Sequence, residues 1–140
     1  LQSSGRADME NLMIERTKST PQIEFSYDRH QLSINGQSYP ENAFNFYEPV
    51  TKWIDDYLAL EPEIIVVEID ISYINSSSSK CLTDILDKFE EAHQKGIQVK
   101  LNWYCNEENE SELECAEEFL EDLTFEHQII TGSVKVKDNE

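Results

Sequence analysis

The chain has 140 residues, which suits a single domain and is long enough to bury a hydrophobic core. Its formal net charge of −18, from 29 acidic and 11 basic residues, argues against direct binding of nucleic acid or of an anionic membrane. The three cysteines show no CxxC spacing, and neither a membrane-spanning apolar run nor a signal peptide is visible, so we expect a cytoplasmic protein with reduced thiols.

The first part of the chain is polar and has no clear periodicity. Residues 1–8 are interpreted as a remnant of cloning that precedes Met9, and residues 9–20 as a flexible arm. A pattern typical of a folded domain follows, so the domain is placed at residues 21–130. Residues 131–140 are predicted to form a polar tail.

The domain is predicted to open with a β-hairpin. Apolar residues alternate with polar ones around Phe25 and again around Ile34, and Asp28-Arg29-His30 predicts the turn between these strands. Asn35-Gly36 predicts a second turn, because both residues tolerate positive φ. A short third strand is expected at residues 37–39.

Helices and strands alternate in the rest of the domain. Asn42 is expected to cap the first helix, in which Pro49 either makes the first turn irregular or moves the regular start to about Glu48. The continuous β-branched run at residues 64–67, followed by alternation through Ile69 and Ile71, predicts a central strand buried on both faces. The further predicted elements are a helix at 81–95, a strand at 99–103, a helix at 111–123 and a strand at 125–130.

This order predicts one α/β domain with a mixed sheet, an N-terminal hairpin and three main helices. Strand–helix–strand units favour parallel pairing with right-handed crossovers.

Catalytic and metal-binding motifs are not visible in the sequence. His30, His93 and His127 lack metal-ligand spacing, and no P-loop, GxGxxG or GxSxG motif is present. We therefore expect no metal, no cofactor and no enzymatic activity. The alternative is a small enzyme with an unrecognised carboxylate site around Glu41 and Asp70.

A serine run, Asn75-Ser76-Ser77-Ser78-Ser79-Lys80, lies between the central strand and the second helix. One Ser is enough to cap a helix, and the others then have no evident structural role. A phosphate at Ser76 would meet the N-terminal amides of the helix, and Lys80 could pair with it. The run is thus either a plain capping turn or a phosphorylation switch.

Four motifs resemble the SiaC family of bacterial regulatory phosphoproteins, and the similarity runs from about residue 20 to residue 130. They are Ser38-Tyr39-Pro40-Glu41-Asn42-Ala43, Tyr73-Ile74-Asn75-Ser76-Ser77-Ser78-Ser79-Lys80, Asn102-Trp103-Tyr104 and Ala116-Glu117-Glu118-Phe119. The resemblance implies a fold similar to STAS domains, the class that includes anti-sigma-factor antagonists. It also implies partner switching by a serine/threonine protein kinase and a PPM-type, metal-dependent protein phosphatase.

The resemblance further implies that, as in the best-known systems of this family, the unphosphorylated form binds and activates a diguanylate cyclase, which raises cyclic-di-GMP and promotes biofilm formation. The resemblance places the phospho-acceptor at Ser76, with Ser77 as the less favoured position. The surroundings of the phosphosite and the partner-binding surface are expected to comprise Asn75, Ser77, Ser78, Lys80, Tyr39, Glu41 and Asn42. A constitutive acidic scaffold with an unmodified serine turn is the second alternative.

Overall fold

The described part of the chain, residues 9–131 of a computed structural model, contains six strands and three helices. In chain order they are β1 (Leu12–Ile14), β2 (Gln22–Ser26), β3 (Gln31–Ser38), α1 (Ala43–Ala59), β4 (Ile64–Ile74), α2 (Ser76–Gln94), β5 (Gln98–Cys105), α3 (Glu110–Leu120) and β6 (Glu126–Thr131). The predicted cloning remnant at residues 1–8 and residues 132–140 of the predicted tail lie outside the described residues.

The six strands form one mixed sheet whose spatial order is the same as the chain order. β1, β2 and β3 pair antiparallel, whereas β3, β4, β5 and β6 pair parallel. Each parallel connection contains one helix, and right-handed crossovers in this strand order place all three helices on the same face of the sheet. The predicted mixed α/β sheet with an N-terminal hairpin and three helices is confirmed.

The hydrophobic core lies between the sheet and this helical layer. Each helix contributes an apolar stripe at helical spacing, as the sequence predicts. The buried stripe residues include Val50, Ile54 and Tyr57 in α1, Leu82, Ile85 and Phe89 in α2, and Ala116 and Leu120 in α3. None of the helices between residues 9 and 131 is both long and apolar enough to cross a lipid bilayer.

The prediction that the central strand is buried on both faces is wrong. In β4 only alternate residues, such as Val67 and Ile69, are buried, because the helices cover a single face. Glu68 lies on the open face, where its carboxylate accepts a hydrogen bond from Asn102 Nδ2 at 2.9 Å. The open face is therefore polar and partly exposed.

The segment predicted as a flexible arm, residues 9–20, contains the edge strand β1. β1 pairs with β2 as an edge strand, and its register places Ile14 opposite Ile23. The indole Nε1 of Trp53 donates a hydrogen bond to the backbone oxygen of Glu10 at 2.6 Å. Backbone pairing and this anchor fix a segment whose composition alone is too polar to predict a strand.

The hairpin turn at Asp28-Arg29-His30 is confirmed, but the turn predicted at Asn35-Gly36 is not. β3 continues to Ser38, so it also absorbs the short strand expected at residues 37–39. Gly36 does have a positive φ of 138°, which it adopts where the register with β4 shifts. The glycine signal is thus real, and it marks a β-bulge instead of a turn.

The predicted helix boundaries differ from those observed by more than one residue at three places. α1 is helical from Ala43 and contains Pro49 in its interior, so its first turn is intact. α2 begins at Ser76, earlier than the predicted residue 81, and α3 ends at Leu120, earlier than residue 123. β6 includes Thr131, so the domain extends into the first residue of the predicted tail.

Candidate functional site

The carboxyl ends of the parallel strands lie at one edge of the sheet, and all three helices begin there. Each helix has an asparagine as its N-cap. The side chains of Asn42, Asn75 and Asn109 accept hydrogen bonds from the backbone N–H three residues further on, at 3.0, 2.9 and 3.1 Å. The positive ends of three helix dipoles therefore face this edge, and they favour negative charge there.

Ser76 is the first residue of α2, directly after the Asn75 cap. It is exposed, and its side chain makes no hydrogen bond with the described residues. A kinase can reach such a hydroxyl without unfolding the helix. The predicted phospho-acceptor is thus accessible and lies at a helix N-terminus.

The other serines of the run have different environments. Ser77 is half-buried, and its hydroxyl donates a hydrogen bond to Asn75 Oδ1 at 3.4 Å. Ser78 is fully buried, so it supports the site from below and does not face a partner. The expectation that a serine caps the helix is wrong, because Asn75 is the cap. Among these three serines only Ser76 is exposed, which favours it over Ser77 as the acceptor.

A buried chain of hydroxyl groups supports the first turn of α2. Ser38 Oγ, at the end of β3, donates a hydrogen bond to Ser78 Oγ at 2.8 Å and lies 2.7 Å from the hydroxyl of Tyr47 in α1. Because a hydroxyl carries one proton, the Tyr47 hydroxyl donates to Ser38 when Ser38 donates to Ser78. Burial raises the pKa of Tyr47 to about 12, so this hydroxyl keeps its proton.

Sequence reasoning missed Ser38 and Tyr47 as supports of the site. The available signals were weak: Ser38 stands at an inward position of an alternating strand, and Tyr47 falls on the inner face of an amphipathic helix. Neither pattern shows that the two residues meet Ser78. That contact depends on the parallel pairing of β3 with β4.

The remaining predicted site residues lie at the same edge. Lys80 is exposed one helical turn after Ser76, so both side chains lie on one face of α2. Glu41 is exposed in the loop before α1, and Asn42 caps that helix. Tyr39 is half-buried, and its ring contacts the ring of Tyr73 edge to face, with centroids 5.6 Å apart.

The described residues offer little for nucleophilic or metal chemistry at this edge. Burial raises the pKa of the Cys81 and Cys115 thiols, which keeps them in the unreactive protonated form. Within residues 9–131, no group of three or more His, Cys, Asp or Glu side chains is placed to hold a metal ion. Asp70, one of the two alternative carboxylates, lies on the open face of β4 opposite Asn35.

Comparison with known proteins gives a consistent result. The profile described as SiaC family regulatory phosphoprotein matches residues 14–131. An uncharacterised protein of Pseudomonas aeruginosa strain UCBPP-PA14 is 41% identical over 117 residues, which are 84% of this chain and 93% of that protein.

Solved structures agree with the sequence match. SiaC of Pseudomonas aeruginosa superposes with a TM-score of 0.84 at 38% identity, over 89% of this chain and 100% of that one. A crystal structure of the diguanylate cyclase SiaD in complex with its activator SiaC, also from Pseudomonas aeruginosa, matches with a TM-score of 0.83 at 40% identity, over 86% of this chain and 99% of that one. The chain therefore belongs to the SiaC family of regulatory phosphoproteins.

Proposed function

We propose that this chain is a non-catalytic cytoplasmic signalling protein that is switched by reversible phosphorylation of Ser76. The unphosphorylated form binds and activates an effector, a diguanylate cyclase, and so promotes cyclic-di-GMP synthesis and biofilm formation. A serine/threonine kinase adds the phosphate, and a PPM-type phosphatase removes it. The likeness to STAS domains and the identities of the kinase and phosphatase stay predictions.

The observation that carries the proposal is the position of Ser76. It is an exposed hydroxyl at the N-terminus of a helix, held in place by the Asn75 cap and by the buried Ser78 side chain beneath it. Two findings support the regulatory role: the family is described as regulatory phosphoproteins, and SiaC is described as the activator of SiaD.

Phosphorylation would change the charge at the centre of this edge. A phosphoserine adds about 1.5 to 2 negative charges at pH 7. The N-terminal amides of α2 and the ammonium group of Lys80, one turn away, are placed to hold it. A partner that meets Ser76 with an acidic or apolar surface would then be repelled or would have to desolvate the phosphate.

The enzyme alternative has less support. Glu41 lies in the exposed loop before α1, whereas Asp70 lies on the open face of the sheet. A cavity of about 600 Å³ lies at the opposite end of α1 and α2, away from both carboxylates, and no histidine, cysteine or serine lines it. These positions do not bring together an acid, a base and a nucleophile.

Phosphosite mass spectrometry on the protein from its native host tests the proposal. We expect phosphate on Ser76, and we expect Ser76→Asp to weaken effector binding while Ser76→Ala preserves it. Ser77→Ala is the matched control, since it removes a neighbouring half-buried hydroxyl and leaves the acceptor in place. An unmodified Ser76, or equal affinity of the Asp and Ala variants, would favour the constitutive scaffold.

A further inference from the structure

Tyr73 is exposed although it is large and lies in the central strand. Its exposed fraction is 55%, and the other exposed large apolar residues of the described chain are Met13, Phe44 and Ile64. Among the described aromatic rings, the ring of Tyr73 contacts only the ring of Tyr39. The two rings meet edge to face, with their centroids 5.6 Å apart. The two tyrosines form a small aromatic platform, which we call the tyrosine pair.

A β-bulge turns Tyr73 outward. Gly36 lies opposite Ile71 and Gln37 lies opposite Tyr73, so Ser72 has no opposite residue in β3. This extra residue reverses the alternation of β4: Ile71 is buried beneath the helices, whereas Tyr73 points to the other side. Bulges re-aim side chains and are common next to functional sites.

The tyrosine pair is held rigidly beside the phosphosite. Tyr73 precedes Ser76 by three residues, and Tyr39 directly follows Ser38, whose carbonyl accepts a hydrogen bond from the Asn75 N–H at 2.9 Å. Strand pairing with β3 therefore fixes Tyr73, and a hydrogen bond from the Tyr39 N–H to the Ser19 carbonyl at 2.7 Å fixes Tyr39 at the same junction. Rigid, partly exposed tyrosines are frequent anchors of protein interfaces, because they bury a large area at a low cost in conformational entropy.

We propose that the tyrosine pair is the anchor on which the effector docks, and that the effector meets it with a cluster of apolar side chains. This inference rests on the proposed function, since it describes the partner of the same site. Glu41, exposed two residues after Tyr39, places a negative charge at the rim, which a basic side chain of the effector complements.

This chemistry explains why a phosphate at Ser76 would oppose docking. An apolar surface that closes over Tyr73 removes water from its surroundings, and a phosphate nearby loses part of its hydration. This desolvation penalty of the phosphate arises only if the contact between the effector and the tyrosine pair excludes water. Removal of the Tyr73 ring should therefore weaken binding and also reduce the effect of phosphorylation on binding.

The test is calorimetric titration of the unphosphorylated chain with the diguanylate cyclase purified from its native host. We expect Tyr73→Ala to weaken binding at least about tenfold, as truncation of an interface anchor does. Tyr73→Phe should retain the affinity, because it keeps the ring. Met13→Ala is the matched control: Met13 is 59% exposed in the edge strand β1, three strands away from β4, and its removal should leave the affinity unchanged.

The thermal midpoint of each variant separates docking from folding. Tyr73→Ala should melt close to the wild type, so that lost binding is not caused by unfolding. Binding by Tyr73→Ala as tight as that of the wild type would overturn the docking inference, and failure of the wild type to bind any host cyclase would overturn it together with the proposed function. The proposed function fails separately if phosphate on Ser76 leaves wild-type affinity unchanged.

Discussion

Ser38 and Ser78 are 40 residues apart in the chain, and their side-chain oxygens are joined by a hydrogen bond of 2.8 Å. Both residues are completely buried. Ser38 also accepts the N–H of Asn75 through its carbonyl at 2.9 Å, so it contacts the junction of β4 and α2 through both backbone and side chain. The position of Ser76, between these two contacts, is therefore set by the end of β3.

Ser38→Ala should lower the free energy of unfolding by about 1 to 3 kcal/mol, because it leaves the buried hydroxyls of Ser78 and Tyr47 without this partner. Denaturant unfolding measures the change. Ser33→Ala is the control, since Ser33 is a half-buried serine of the same strand on the open face, and its loss should cost no more than about 0.5 kcal/mol. Equal losses for the two variants would show that the hydroxyl chain adds no stability.

The identity of the α2 cap shows what the sequence alone could not decide. Asn75 and the serines after it all have side-chain oxygens that accept hydrogen bonds at an N-cap. Local preference therefore leaves the helix start open over several residues. A tertiary contact decides where the helix starts. The backbone oxygen of Ser38 accepts a hydrogen bond from the Asn75 N–H, which makes Asn75 the last residue of the extended segment.

Features with local causes were predicted correctly. The hairpin turn at Asp28-Arg29-His30, the Asn42 cap and the apolar stripe of α1 depend on residues close in the chain. The edge strand β1 depends on pairing with β2, and the single-sided burial of β4 depends on the helices sharing one face. The polar residues that alternate with apolar ones in β4, such as Glu68, were the available sequence signal that only one face of this strand is buried.

The bulge that turns Tyr73 outward depends on Gly36. Gly36 has a φ of 138°, and a Cβ at this position would lie 3.2 Å from the Cα of Pro21. Gly36→Ala combines backbone strain with this close contact, so we expect a loss of about 1 to 3 kcal/mol in the free energy of unfolding. Denaturant unfolding provides the measurement.

Gly96 provides a control for the contact at Gly36. It has a φ of 108°, and nothing lies within 4 Å of a Cβ built on it, so Gly96→Ala introduces backbone strain alone. We expect Gly96→Ala to cost less than Gly36→Ala, and the difference measures the contact with Pro21. A larger loss for Gly96→Ala would contradict the assignment of Gly36 as a site of close backbone approach.

Glu90 links α2 to the segment before β6, and this link should depend on pH. Its carboxylate accepts hydrogen bonds from the Thr124 hydroxyl at 2.5 Å, from the Thr124 N–H at 2.9 Å and from Gln94 Nε2 at 2.8 Å. The Thr124 hydroxyl, above all, lowers the pKa of Glu90 from 4.5 to about 2. Because the folded protein favours the ionised form, this contribution to stability is present above pH 4.5 and is lost as the pH falls toward 2.

We therefore expect Glu90→Gln to be less stable than the wild type at neutral pH, and the difference to shrink as the pH falls from 4.5 to about 2. The effect is modest, because the carboxylate faces solvent, which screens its interactions. Urea unfolding at a series of pH values measures it. Glu91→Gln removes the same charge from the adjacent exposed position, so it corrects for the general repulsion within this acidic chain. If the free energy of unfolding of Glu90→Gln stays below that of the wild type by a constant amount across this pH range, the hydrogen bonds to Thr124 do not favour the ionised carboxylate.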